Sequence, residues 1–149
     1  MSNFKYKTLA QEFIVKLEKS RVITDPALCF TLGTDASLYR LVPKIIVKIN
    51  TLKELVDVLG LCNQFNAPYT FRAAGTSLSG QAVSDSVLIM LTESWNNYDI
   101  LNKGEKIRLQ PGVIGADANR YLLPFQKKIG PDPASIDSCK IGGIAANNA

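Results

Sequence analysis

The segment Arg72-Ala73-Ala74-Gly75-Thr76-Ser77-Leu78-Ser79-Gly80-Gln81 has the residue types needed to hold an anion on backbone rather than on charged side chains. Small residues let peptide N–H groups approach a ligand closely and point the same way, and such a nest of amides binds phosphate oxygens. Each hydrogen bond to a charged acceptor contributes about 1.5–3 kcal/mol, and hydroxyls of Thr76, Ser77 and Ser79 add further donors. Two familiar phosphate motifs are excluded. Gly75 and Gly80 have the opening of a Walker A loop, but Gln81 and Ala82 stand where its Lys and Ser/Thr belong. No G-x-G-x-x-G is present either, so the Rossmann fingerprint is missing. Spacing alone leaves two readings open, an anion site or a Gly/Ser turn between two strands. Arg72 either offsets phosphate charge or lies outward on the surface.

A second cluster has similar chemistry. Pro131-Asp132-Pro133-Ala134-Ser135 and Ser138-Cys139-Lys140-Ile141-Gly142-Gly143 combine fixed backbone, small hydroxyl residues and paired glycines. Adjacent glycines inside an apolar element are costly to order. They fit where something large lies flat against the backbone, or where two elements pack tightly. Histidine is absent from the whole chain. That removes the commonest general base, the commonest transition-metal ligand and every Ser-His or Cys-His nucleophile pair. Cys29, Cys62 and Cys139 are odd in number and widely spaced, without a C-x-x-C pair, so neither a disulfide framework nor a metal site is expected. No catalytic residue can be named from these positions.

The elements that must position these loops are readable from periodicity. Leu9, Phe13 and Leu17 give an amphipathic first helix over residues 7–19. Residues 24–41 show no period and are expected to form loop and short turns. Residues 44–49 are a β-branched run suited to a buried strand. Thr51 with Glu54 forms a capping box opening a helix whose Leu52, Leu55, Val56, Leu59, Cys62 and Phe65 share one side, ending near Pro68. Strands follow at 69–72 and 87–90, separated by the glycine-bearing loop. Strand, helix, strand, loop, strand predicts a small parallel sheet with helical cover. Residues 97–101 and 106–110 then read as a hairpin turning at 102–105. A helix around 116–125 should be ended or kinked by Pro124. Residues 130–135 read as rigid loop, and a small-residue element begins at Ile141, where the sequence stops as a cut-short subdomain would.

At 149 residues the chain is about one domain long. It can bury roughly two-thirds of its unfolded surface without a disulfide or metal staple. A net charge of +4 from 17 basic and 13 acidic residues is scattered, with no basic stripe interleaved with aromatics, which argues against nucleic acid. No apolar run approaches the ~20 residues of a membrane span, and residues 1–7 lack a signal-peptide core. A cytoplasmic location is expected, with peripheral membrane contact left open.

Taken together, Arg72–Gln81, Gln110-Pro-Gly-Val113, Gly130-Pro-Asp-Pro-Ala-Ser135 and Ser138-Cys-Lys-Ile-Gly-Gly143 resemble the FAD-binding domain of the p-cresol methylhydroxylase and vanillyl-alcohol oxidase superfamily. Within it they are most similar to the D-lactate dehydrogenase and glycolate oxidase branch, from about residue 22 onward. The resemblance implies an α+β fold of the PCMH-type. Residues 1–21 would be an N-terminal helical segment, 22–95 a parallel βαβ subdomain with its diphosphate loop at 72–81, and 96–149 the start of a truncated second α+β subdomain. It implies that Ala73, Ala74, Gly75, Thr76, Ser77 and Gly80 face the FAD diphosphate, with Arg72, Ser79 and Gln81 near it. Pro111, Gly112, Asp132, Pro133, Ser138, Gly142, Gly143 and Asn147 would line the rest of the flavin and adenosine channel. Members with a histidine-linked flavin carry that histidine near Thr76, so FAD here would be non-covalent. Cys139 would be a thioether link or a small buried residue. The substrate-binding cap, and any iron–sulphur module, would lie beyond residue 149. The implied activity is hydride transfer from a D-2-hydroxy acid such as lactate or glycolate to FAD. An FAD-linked oxidase or reductase with another substrate, and a non-catalytic nucleotide or anion module, remain as alternatives.

Overall fold

The structure, a computed structural model, describes residues 2–149. It separates into two compact units, Met1–Thr92 and Glu93–Ala149. Helix α1 spans Ser2–Lys16 and buries Leu9 and Phe13, with Leu17 buried just past its end. It begins earlier than the periodic stretch, because periodicity marks only the turns that pack and Phe4 is exposed on the first ones. β1 (Val22–Ile23) follows, and the stretch 24–41, expected to be loop and short turns, holds α2 (Pro26–Thr31). Asp25 caps α2 by accepting the Leu28 amide at 3.0 Å, and Pro26 occupies the first turn, where a missing N–H costs nothing. This helix buries only Cys29 and so carries no apolar stripe for periodicity to mark.

The sheet is the core of this unit. β2 (Ile45–Ile49) is followed by α3 (Leu52–Gln64), β3 (Tyr69–Arg72) and β4 (Val87–Leu91). Strand order is β1-β2-β4-β3, with β2, β4 and β3 parallel and β1 antiparallel to β2. Register places Ile46 beside Leu88, and these pack with Cys29 of α2 and with Met90. On the other face Ile45, Val47, Ile49, Val87 and Ile89 are fully buried beneath the helical cover that α3 provides. Burial on both faces explains why β2 and β4 read as continuous apolar runs rather than alternating ones. β3 is the edge strand, and its Tyr69 and Phe71 remain exposed.

The capping box of α3 is present: the Glu54 amide donates to Thr51 Oγ1 at 3.2 Å, and Glu54 accepts the amides of Asn50 and Thr51. Arg21 completes it with two hydrogen bonds to the Glu54 carboxylate, at 2.7 and 2.8 Å. The bond from Arg21 is the largest cause holding Glu54 well below its ordinary 4.5, at about 2, against the opposing effect of burial.

In the second unit β5 (Tyr98–Leu101) and β6 (Lys106–Leu109) form the expected antiparallel hairpin. Asn102 and Lys103 take left-handed backbone in its turn. α4 (Gly115–Leu122) gives way to a 3-10 turn carrying Pro124, and α5 spans Ile141–Ala146. Val113, Ala118, Leu122, Cys139 and Ile144 are its buried apolar residues, and Tyr98 stacks on Tyr121 at 3.7 Å. Gly112 donates its amide to the Trp95 carbonyl at 3.0 Å, and a Cβ on Gly112 would lie 2.7 Å from that oxygen.

Two outcomes are expected. Glu54→Gln lowers stability by about 1.5–3 kcal/mol at neutral pH, the range for hydrogen bonds to a charged group. A depressed carboxylate stabilises above its unfolded pKa and ceases to as pH falls through the folded one, so the deficit shrinks from pH 4.5 down to about 2. Urea titrations across that range check it, and a deficit independent of pH contradicts the assignment. Gly112→Ala forces a methyl against backbone and costs roughly 1–3 kcal/mol, read by the same titrations; an unchanged midpoint refutes the close approach.

Candidate functional site

β3 ends at the carboxyl edge of the parallel strands, the end at which open α/β sheets bind ligands. The chain leaves it through residues 73–86 before re-entering the sheet as β4. Gly75 and Gly80 both take left-handed backbone, with φ of 75° and 71°. From Gly75 to Gly80 only the Ser79 amide has an acceptor among the described residues, the Ser77 hydroxyl at 3.1 Å. The remaining amides of this stretch stand as donors on a half-exposed loop without a bulky or charged side chain apart from the outward Leu78.

The hydroxyls are not equivalent. Ser77 Oγ accepts the amides of Ser79 and of Gln81 (3.3 Å) and donates to Gln81 Oε1 at 3.1 Å, so its proton is spent inside the loop. Thr76 and Ser79 keep theirs available among the described residues. Gln81 is bound to Ser77 and is exposed. Arg72 lies on neither of the two courses left open by its position in the sequence. Its Nη1 donates to the carbonyls of Thr34 (2.7 Å) and Ala82 (3.2 Å), and its guanidinium lies directly against Gly75. Burial pushes the Arg72 pKa down from its ordinary value, and the charge of Asp35 acts against that.

Residues 34–39 form the back of this loop, which sequence reasoning missed. The Ala36 amide donates to the Gly75 carbonyl at 3.0 Å. Asp35 Oδ2 accepts the Ala82 amide at 3.3 Å, while Oδ1 accepts the Ser37 amide at 2.9 Å and the Ser37 hydroxyl. Burial pushes the Asp35 carboxyl up, but these hydrogen bonds and the charge of Arg72 outweigh it and hold it below the ordinary value. Tyr39 lies so close to Gly80 that a Cβ there would sit 2.8 Å from its ring. The one signal in the sequence was Asp35-Ala36-Ser37, an Asx turn, which says nothing about a partner many residues away.

In the second unit Pro111, Gly112 and Gly142 come together. The amide of Gly142 donates to the Pro111 carbonyl at 2.9 Å and that of Ile141 to the Val113 carbonyl at 2.8 Å, setting the first turn of α5 on this segment. A Cβ on Gly142 would lie 2.9 Å from Pro111 Cβ, so tight packing already accounts for one of the paired glycines. The other predicted positions make local contacts. Asp132 is exposed and pairs with Lys128 at 3.2 Å; Pro133 accepts the Ile136 amide; the Ser138 hydroxyl donates to the Ser135 carbonyl at 3.2 Å. Asn147 ends α5, its amide on the Gly143 carbonyl, with the side chain exposed. Cys139 is buried. Among the described residues no group of His, Cys, Asp or Glu is placed to hold a metal ion, and no helix is long and apolar enough to cross a membrane.

The 75–80 loop fits a diphosphate: neighbouring amide donors, left-handed glycines that keep the backbone bare, and no carboxylate oxygen turned outward from the loop itself. The chain is 33% identical over 115 residues to glycolate oxidase subunit GlcD of Escherichia coli, an alignment covering 76% of this chain and 23% of that protein. It is 26% identical over 149 residues to D-2-hydroxyglutarate dehydrogenase of Escherichia coli, covering 95% of this chain and 15% of that one. The chain thus spans less than a quarter of the length of these relatives. Among solved structures, alkyldihydroxyacetonephosphate synthase superposes with a TM-score of 0.78 at 17% identity, over 96% of this chain and 32% of that chain, which shows a shared fold. Residues 43–149 match the model of the FAD binding domain family, and the chain belongs to that family of flavoproteins.

Proposed function

We propose that residues 73–81 hold the diphosphate of a non-covalently bound FAD, and that the protein carrying this domain oxidises a D-2-hydroxy acid. The observation behind the loop assignment is the run of amide donors between Gly75 and Gly80 that have no internal acceptor but Ser77. Buried or half-buried amides rarely stay unpaired, so a loop that fixes several outward is arranged for an anion. Support for the substrate class comes from relatives that are named for glycolate and D-2-hydroxyglutarate. The cofactor would accept the hydride; the protein's part in this segment is binding and orientation. Thr76 and Ser79 would add hydroxyl donors, Ser77 and Gln81 would hold the turn, and Arg72 would support Gly75 from behind. None of these 149 residues is a histidine, so this segment supplies no imidazole to tether the flavin.

Gly75→Val is expected to abolish FAD binding. The new side chain meets the Arg72 guanidinium at a φ of 75° that branched residues do not adopt. The flavin-free protein is titrated with FAD while flavin fluorescence is followed, and circular dichroism verifies that the variant is folded. Undiminished binding by a folded variant would contradict the loop assignment. Protection by pyrophosphate without any response to FAD would favour a plain anion module. Denaturation of the reconstituted protein should release all yellow colour into the ultrafiltrate, and colour retained on the polypeptide would rule out non-covalent attachment. In the longer protein that carries this domain, anaerobic bleaching by a D-2-hydroxy acid but not its L antipode tests the substrate class.

A further inference from the structure

Resting on the reading of residues 75–80 as the diphosphate loop, we infer that Asp35 is a positioning residue for the cofactor: its carboxylate clamps the far end of the loop so that the amides stay aimed outward. Left to itself the loop is weakly determined. Its internal hydrogen bonds all run through one atom, Ser77 Oγ. Parallel N–H dipoles repel one another, so a loop held only there would turn its amides toward water or its own carbonyls. Three ties from behind prevent this, and all of them meet at residues 34–36. Ala36 holds the Gly75 carbonyl, Asp35 holds the Ala82 amide, and Arg72 bridges the Thr34 and Ala82 carbonyls. The two ends of the loop are thereby fixed to one short segment.

A carboxylate near a diphosphate site would ordinarily repel the ligand, so its placement has to be explained. Both Asp35 oxygens are turned to protein donors, Oδ1 to Ser37 and Oδ2 to Ala82. Arg72, with its Nη1 on the carbonyls of Thr34 and Ala82, supplies the compensating charge. Asp35 is therefore no ligand and no general base; it acts through the backbone. Only a group with two acceptor oxygens serves both Ser37 and Ala82. An asparagine must turn its NH2 toward one of them, donor against donor. A loop that is already fixed gives up less conformational freedom when it binds, which is where the affinity would be gained.

The test measures FAD and pyrophosphate affinity on the full chain carrying Asp35→Asn, with Glu54→Gln as a control that weakens the fold without touching the loop. Asp35→Asn should weaken both ligands by about tenfold or more, the equivalent of one hydrogen bond to a charged group. Glu54→Gln should leave both within about twofold, a change too small to count as a lost hydrogen bond. Ser37→Ala keeps the carboxylate but loosens it, and should give a smaller loss of about threefold; it decides the matter if Asp35→Asn does not fold. Wild-type affinity in folded Asp35→Asn, or in Ser37→Ala where only that variant folds, overturns the inference, as does equal weakening by Glu54→Gln. If pyrophosphate fails to compete with FAD on the wild-type chain, the diphosphate reading itself falls and the clamp falls with it.

Discussion

A parallel sheet whose next strand must be inserted between two already laid down obliges the chain to travel a full strand length outside the ladder. β3 lies at the rim and β4 enters between it and β2, so residues 73–86 make that journey. Their peptide N–H groups have no strand partner and must find side-chain acceptors, water or a ligand. Asp35 and Ser84 meet the requirement near β4, accepting the amides of Ala82 and Ser86, and Ser77 meets it for Ser79 and Gln81. The amides from Gly75 onward are left over. The connectivity that makes β4 the buried centre of the sheet thus also creates the donors of the candidate site.

Donors are useful to a ligand only if their platform is stiff. Ile46 and Leu88 seal one face of the sheet against Cys29, and Ile45, Val47, Ile49, Val87 and Ile89 are inaccessible on the other. Close-packed interiors transmit displacement rather than absorbing it. The exit point of β3 is accordingly set by the whole sheet, and the loop inherits that position.

The parts legible in the sequence were those whose cause is local. The β-branched run at 45–49, the Thr51/Glu54 box and the hairpin at 98–109 each rest on neighbours within a few residues, and each is present. The loop itself could be found by composition. What could not be read depends on distant partners. α2 leaves Leu28 and Phe30 half exposed, so it carries no helical stripe, although Asp25-Pro26 was a usable start signal. β1 is only two residues long and exists because β2 lies beside it. Asp35 answers to an amide 47 residues further on, a pairing created by sheet order alone. The paired glycines were ambiguous for a related reason: whether Gly142 leaves room for a ligand or for Pro111 is a question of packing, which composition does not address.

Residues 73–81 contain no ionisable side chain, and two charged ones, Arg72 and Asp35, lie behind the loop with opposite signs. Attraction for an anion on this loop therefore comes from peptide dipoles at fixed positions rather than from a mobile lysine or arginine. A point charge on a flexible stem accepts many anion shapes, whereas fixed amides reward only a ligand whose oxygens match their spacing. Geometry then has to be maintained to a fraction of an ångström. That need gives bare backbone at Gly75 and Gly80, contact with Arg72 and Tyr39, and a clamp at Asp35 a single physical purpose.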